Sequence, residues 1–498
     1  MNIIQRNIAA NFVGNIWQAL MGLAFIPLYI KFMGIESYGL IGIFATLQAT
    51  FVVLNMGLNT ALTREMARLS VLSGKEQEMS DLVRSLEVIY WAAAAFIGLF
   101  VVIGAPFIAH HWVKASQLSP ENIEQALRIM GFAMALQWPS SLYSGGLEGL
   151  QTQVLLNFIN MGVSTIRGVG ALLVLWLVSP TILGFFVWQI IISVINTGIL
   201  AFFLWQRLPQ ARNKASFSKV LILGVWRFAA GISGITVLAV ILTQLDKIII
   251  SKVLSLELFG YYVLASTIAM NLYRVIYSVN SGIYPRLIQL TSLGEEEGLK
   301  KTYHKSCQLM SVLILPATGI IAMFSYQIML IWTQNPLVAE NTHFLLSILI
   351  CGTALNGLMN MPYLLQLSYG WTKLTFMSNL IAVILLGPLI IYATSQYGVN
   401  GAAGSWVILN GGYVLFVVPL MHRRILKSEK WSWYWQDVFV PLLAVLLTAG
   451  LGRLFLRTQM SQGMTIVYLM VLSIVTLAVT AIITPTTRAW LRGIKLGC

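Results

Sequence analysis

Long apolar runs separated by short polar joints dominate this chain. A hydrocarbon layer of about 30 Å takes roughly 20 helical residues to cross. On that rule the runs at 9–30, 38–61, 85–109, 125–147, 153–178, 181–205, 221–250, 257–283, 306–331, 343–367, 374–394, 400–420, 437–456 and 464–484 predict 14 membrane helices. Ser179-Pro180 is the critical joint, because it either separates two spans or kinks one long run. The expected fold class is an all-α polytopic membrane protein.

Composition agrees with the pattern. The chain is 58% hydrophobic and 10% charged, with mean hydropathy +0.80, against about 25% charged in soluble domains. Its start, MNIIQRNIAANFVGNIW, lacks an apolar core followed by a small-residue cleavage site, so the first helix is expected to be retained. Cys307, Cys351 and Cys498 have no paired or metal-like spacing, so neither a disulfide nor a metal site is expected. A net charge of +14 would suit nucleic acid in a soluble protein. In a membrane protein it points instead to basic cytoplasmic loops, and no nucleic-acid partner is expected. With the N-terminus inside, 21 of the 31 Lys and Arg residues fall on the inner side and seven on the outer, while Arg167, Arg227 and Arg274 lie within spans. That bias predicts cytoplasmic positions for both termini.

The chain also repeats itself. Lys31, Glu36, Tyr38 and Gly39 correspond to Lys252, Glu257, Phe259 and Gly260 at one offset of 221 positions, and Gly149 and Gly370 share that offset. Six spans lie between corresponding points, an even number, so the halves should share one orientation about a pseudo-twofold along the membrane normal. The expected organisation is an N-lobe at 1–205, a cytoplasmic linker at 206–219 and a C-lobe at 220–425. Residues 426–498 add helices thirteen and fourteen and a cytoplasmic C-terminus.

Polar residues inside spans are costly and usually face an interior or a wet cavity. On the eighth span Arg274 shares a face with Asn271, Ser278 and Ser281; the fifth span repeats the spacing with Asn157, Asn160, Ser164 and Arg167. The first span adds Asn7, Asn11, Asn15 and Gln18, and the second adds Gln48, Asn55 and Asn59. Together they suggest a polar, positively charged chamber between the lobes. The competing reading of the Asn, Gln and Ser positions is that such faces glue helices together. For Arg167 and Arg274 the chamber is favoured, since the neighbouring spans offer no acidic residue. Arg227, near the inner end of its span, could snorkel to the headgroups.

Asp246 is read as the carboxylate within a span. Arg227 is too far along the same helix to reach it at about 1.5 Å per residue. Lys247 or Lys252 is the expected partner, and proton or cation coupling is the functional alternative. Glu36 and Glu257, at helix hairpins, are expected to be exposed. The run Trp431, Trp433, Tyr434 and Trp435 is read as an interfacial belt. The sequence holds no P-loop, paired-carboxylate site or nucleophile elbow. Its outer connections are too short for a catalytic domain, so neither an enzyme nor a cofactor is expected.

The segments PLYIKFMGIESYGL, NMGLNTALTREMARL, SGGLEGLQ, LDKIIISKVLSLELFGYY and IYPRL resemble the polysaccharide and O-antigen (Wzx-type) flippases of the multidrug/oligosaccharidyl-lipid/polysaccharide exporter superfamily. That resemblance spans nearly the whole chain. It implies two six-helix lobes around a central cavity that opens alternately to the two membrane faces. It also implies transport of an undecaprenyl-diphosphate-linked oligosaccharide from the cytoplasmic to the periplasmic leaflet of a bacterial inner membrane, driven by an ion gradient or the membrane potential. In some members a groove beside helices thirteen and fourteen holds the lipid tail. Arginines suit a diphosphate, and amides and hydroxyls suit sugars. Arg167 and Arg274, with help from Arg227, are therefore the expected diphosphate ligands, and Asp246 the candidate coupling residue. A monomer is expected, with membrane lipids around it and polysaccharide polymerase and chain-length machinery as candidate partners. Rival readings are a peptidoglycan-precursor (lipid II) flippase, a cation-coupled multidrug exporter and an enzyme of glycan polymerisation. The drug exporter is disfavoured because spans one to six carry no deep acidic residue.

Overall fold

A computed structural model describes residues 3–55, 57–456, 460–485 and 488, which are helical almost throughout and form no β-sheet. The chain divides into two units, Met1–Gly260 and Tyr261–Cys498. The first holds α1 (Ile3–Ala24), α2 (Ile26–Phe51), α3 (Leu58–Leu69), α4 (Glu76–Phe107), α5 (Pro120–Gln137), α6 (Ser140–Gly149), α7 (Gln153–Leu177), α8 (Ile182–Arg207), α9 (Lys219–Val253) and the start of α10 (Leu256–Met270). The remainder of α10 opens the second unit. There follow α11 (Leu272–Leu293), α12 (Glu296–Met323), α13 (Ser325–Thr333), α14 (Pro336–Ser368), α15 (Thr372–Gly412), α16 (Val418–His422), α17 (Lys430–Ser432), α18 (Val440–Phe455) and α19 (Gln462–Ile483). Helix α9, which the repeat groups with the C-lobe, packs on α2, α3 and α4.

Among the described residues nine helical stretches are long and apolar enough to cross a membrane, so this is a multi-pass membrane protein, although the count of 14 is not reproduced. Part of the difference is continuity: Thr372–His422 is one stretch that covers expected spans eleven and twelve, interrupted at Gly398 with φ +58°. Gly34, at φ +82°, likewise divides α2. A left-handed backbone admits glycine at no steric cost, so both points serve as turns.

Other expected spans are broken where a helix cannot run on. The second stops at Phe51, passes through a 3₁₀ turn at Val52–Asn55 and restarts after Gly57 at φ +70°. The fourth breaks at Trp138-Pro139 and the eighth at Asn271. Ser179-Pro180 does separate two helices, and Thr181 caps the second by accepting from the Gly184 amide at 3.3 Å.

Leu62, Met66, Leu82, Leu86, Leu147 and Leu204 pack where α3, α4, α6 and α8 meet in the first unit. In the second, Ile320, Phe324, Ala449 and Leu469 join α12, α18 and α19. Apolar side chains also point outward, as Phe96, Leu99, Phe100 and Ile103 do on α4. A hydrocarbon solvent permits this, since backbone groups are satisfied within the helix.

Candidate functional site

The polar faces of α1 and α7 meet each other in the first unit. Asn157 donates to the Asn11 side-chain oxygen at 2.5 Å and to the Gln153 carbonyl at 2.8 Å. Asn7 donates to the Gln151 carbonyl at 3.4 Å, and Trp17 to the Thr165 hydroxyl at 2.9 Å. Gly14 makes the approach possible: a Cβ there would lie 2.2 Å from the Asn157 Oδ1. Asn7, Asn11 and Asn157 therefore do act as helix glue, although Asn11 keeps an exposed side. Asn15 is exposed, and Gln18, Asn160 and Ser164 are half-buried, with Ser164 bonded back to the Met161 carbonyl at 2.9 Å.

Arg167 follows on the same helix, half-buried. Trp188 donates to its carbonyl at 3.1 Å, and the Tyr29 hydroxyl donates to the next carbonyl, that of Gly168, at 3.3 Å. These contacts fix the backbone and leave the guanidinium to other partners. Among the described residues it forms no ion pair.

The second-span residues point into packing. Gln48 donates to the Gln137 side chain at 3.0 Å, and Asn59 lies against Gly145. The side-chain oxygens of Asn55 and Asn59 are buried and accept no hydrogen bond from the described residues.

In the second unit Arg274 is exposed on α11 and donates through Nε to the Asn271 side-chain oxygen at 3.2 Å. Asn271 in turn donates to the Thr267 carbonyl at 2.7 Å, bridging the break before α11. Ser278 and Ser281, both exposed, continue the stripe. The side chain of Arg227 lies outside the described residues. Asp246 is buried and ion-paired with Lys247 at 3.6 Å, one of the two partners expected for it.

Three constellations are absent from the sequence reading. An asparagine ladder crosses the second unit: Asn280 to Asn360 and Asn356 to Asn410, each at 2.8 Å, join α11, α14 and α15. Its signal was the i,i+4 pair Asn356 and Asn360 in an apolar run. His304 on α12 stands between Asp437 and Glu429, at 2.6 and 3.2 Å. Asp437 sits at the edge of an expected span, where a carboxylate reads as an ordinary interfacial residue.

The third corrects an expectation. Glu257 is exposed, but Glu36 is 5% exposed, and its carboxylate accepts from the amides of Ser116, Gln117 and Leu118 at 2.5, 2.8 and 3.0 Å. Three consecutive amides form an anion cradle, and position in a hairpin could not reveal it. Glu36→Ala should cost about 2–4 kcal/mol by orphaning these donors. The measurement is the melting temperature together with exchange of the three amides; unchanged protection would show that the carboxylate does not hold this loop.

Beside Glu36 the repeat meets itself. A Cβ on Gly39 would lie 2.5 Å from the Leu256 carbonyl oxygen, and one on Gly260 would lie 2.5 Å from that of Ile35. Leu256 follows Ile35, and Gly260 follows Gly39, by the same 221 positions, so the contact is reciprocal. Around it, the Leu256 amide donates to the Lys114 carbonyl at 2.7 Å, Trp112 to the Ser251 hydroxyl at 3.0 Å, and Lys252 lies 4.8 Å from the Trp112 ring centre.

Residues 4–291 match the family model described as "Polysaccharide biosynthesis protein". The chain belongs to that family. It is 22% identical over 412 residues to the "Putative O-antigen transporter" of Shigella flexneri, covering 82% of this chain and 95% of that protein. Its fold is shared with transporters of the MOP superfamily. An inward-facing multidrug resistance MATE family transporter matches with TM-score 0.68 at 14% identity, over 83% of this chain and 96% of the other. The lipid II flippase MurJ, in an inward closed conformation, matches with TM-score 0.66 at 15% identity over 96% and 98%. The resemblance read in the sequence segments is thereby established at the level of family and fold.

Proposed function

We propose that this protein carries a polyprenyl-diphosphate-linked oligosaccharide from the cytoplasmic to the periplasmic leaflet of a bacterial inner membrane, with both termini cytoplasmic. The observation that carries this reading is Arg167: a half-buried guanidinium on an apolar helix, with its backbone fixed and no ion pair among the described residues. A diphosphate supplies the charge such a group lacks, through paired N–H···O bonds. Arg274 is the corresponding ligand in the second unit, and exposed Asn11, Asn15, Ser278 and Ser281 offer amides and hydroxyls to sugars. The family match and the O-antigen transporter of Shigella flexneri support a glycan as the cargo. The lipid tail stays in the bilayer, and an ion gradient or the membrane potential drives the cycle by alternating access. Asp246, neutralised by Lys247, enters as a coupling residue rather than a ligand.

Deletion of the gene tests the proposal. Cells should lose one surface polysaccharide, remain viable, and accumulate its lipid-linked repeat unit on the cytoplasmic side. Lethality with accumulated peptidoglycan precursor would assign the cargo to lipid II, and an unaltered glycan would reject the proposal.

A further inference from the structure

The cluster around His304 has no part in that reading. It lies on the face of α12 formed by Lys300, His304 and Gln308, each four residues from the last. Opposite stands the segment from Glu429 through α17 to Asp437, which leads into α18. Trp433–Phe439 is wound as a π-helix just before Pro441. The wider turn accommodates a proline, which cannot donate to the preceding turn, and Asp437 faces α12 with its side chain fully enclosed.

The geometry fixes a proton count. His304 Nδ1 lies 2.6 Å from Asp437 Oδ2, and Nε2 lies 3.2 Å from Glu429 Oε2. A neutral imidazole has one N–H and one lone pair, so it would aim the lone pair at a carboxylate. With both contacts made, the trio holds one proton more than a neutral ring beside two carboxylates. Asp437 is held from its other side by Gln308 at 2.8 Å, whereas Glu429 has a second cation, Lys300, at 3.7 Å. Burial alone would raise the Glu429 carboxyl, but the Ser428 hydroxyl, the His304 ring and Lys300 outweigh it and hold it below the ordinary range. The same helix face carries Tyr303, whose hydroxyl lies 3.3 Å from His422 Nε2 on α16. Buried Cys307 and the Tyr434 hydroxyl, which donates to the Val414 carbonyl at 2.5 Å, lie beside it, and Lys300 is also paired with Glu296 and Glu297 at 3.8 and 3.6 Å.

We propose that His304, Asp437 and Glu429 form a proton-binding latch that fastens the C-terminal helices α18 and α19 to α12. The latch is closed while the trio holds its extra proton and released when that proton leaves. The departing proton is the one on Nε2, because Glu429 keeps 20% of its side-chain exposure and Asp437 none. Its loss turns the Nε2 lone pair toward the Glu429 carboxylate. Glu429 then keeps only the neighbouring Ser428 hydroxyl, at 2.8 Å, and Lys300, a cation shared with Glu296 and Glu297, and the chain from 429 to 437 is freed at one end. Histidine is the side chain whose ordinary titration falls in the cytoplasmic pH range, so the attachment of the last two helices follows the proton activity on the face where this cluster opens.

The test uses the full chain in lipid nanodiscs with its five histidines ¹⁵N-labelled, His304 being identified by the signal lost in His304→Gln. At pH 6.5 both His304 ring nitrogens should read as protonated, and Nε2 should lose its proton as the pH rises to 8.5. Over the same range, hydrogen exchange in α18 and α19, corrected for intrinsic rates, should accelerate about tenfold, because the released form binds the proton less tightly than the closed one. His304→Gln should exchange fast at every pH. Glu429→Gln, which removes the repulsion, should lose the pH response and serves if His304→Gln does not fold. A ring that is neutral at pH 6.5 would overturn the proposal. So would wild-type exchange independent of pH, or a Glu429→Gln response equal to that of wild type.

Discussion

Arg167→Ala should abolish transport while leaving the protein in the membrane with an unchanged or higher melting temperature. The two outcomes have one cause. A guanidinium held among apolar helices with no ion pair among the described residues is a cost to the empty protein, so its removal should not unfold α7. Bound to a diphosphate, the same group makes charge-assisted bonds that nothing else on that helix can replace. Truncating one member of such a pair costs about 2–5 kcal/mol, roughly 30-fold to several thousand-fold in affinity. Arg167→Lys keeps the charge and loses the planar fork, so it should retain part of the activity. Arg274→Ala should reduce transport similarly, with less effect on stability, because Arg274 is exposed. The measurements are surface glycan in a complemented deletion strain and the melting temperature of the purified protein. Full transport by Arg167→Ala would remove Arg167 from the site, and a large fall in its melting temperature would show a structural role instead.

Fold class was legible because apolar length is a one-dimensional property: an apolar run of 20 or more residues reads the same in isolation and in the folded chain. Breaks were legible where proline causes them, as at Ser179-Pro180. They were obscure at Gly57 and Asn271, where polar residues sit inside runs that remain apolar on average. Among site residues, the stripes on α1 and α7 could be seen as faces. Whether a face turns to a neighbour or to a cavity depends on what stands opposite, and Gly14 opposite Asn157 decides it for that position. Glu36 and the His304 trio were illegible for a related reason. Their partners lie about 80 and about 130 positions away, and the loop that meets Glu36 contributes only backbone amides, which every residue has.

The repeat was legible as four matching residues, and the structure gives a reason for one of them. At the crossing of Gly39 and Gly260 each helix passes over a backbone carbonyl of the other, at a separation that leaves no room for a methyl group. Small residues at such crossings let helix backbones touch. Gly39→Ala and Gly260→Ala should each force the segments apart, at about 1–3 kcal/mol of overpacking. In the proposed alternating-access cycle, the form with this crossing closed should become scarcer by a factor of roughly 5 to 150, and transport should fall with it. Because both contacts belong to one crossing, the double variant should lose less than the sum of the single losses, the first methyl having already opened the gap for the second. Gly162→Ala is the matched control: it too is a helical glycine, but its Cβ would meet nothing within 4 Å, so transport should be unchanged. Transport rates for the four proteins decide the matter. If the two substitutions add fully, the glycines act separately, and if neither differs from Gly162→Ala, closure of this crossing is not part of the cycle.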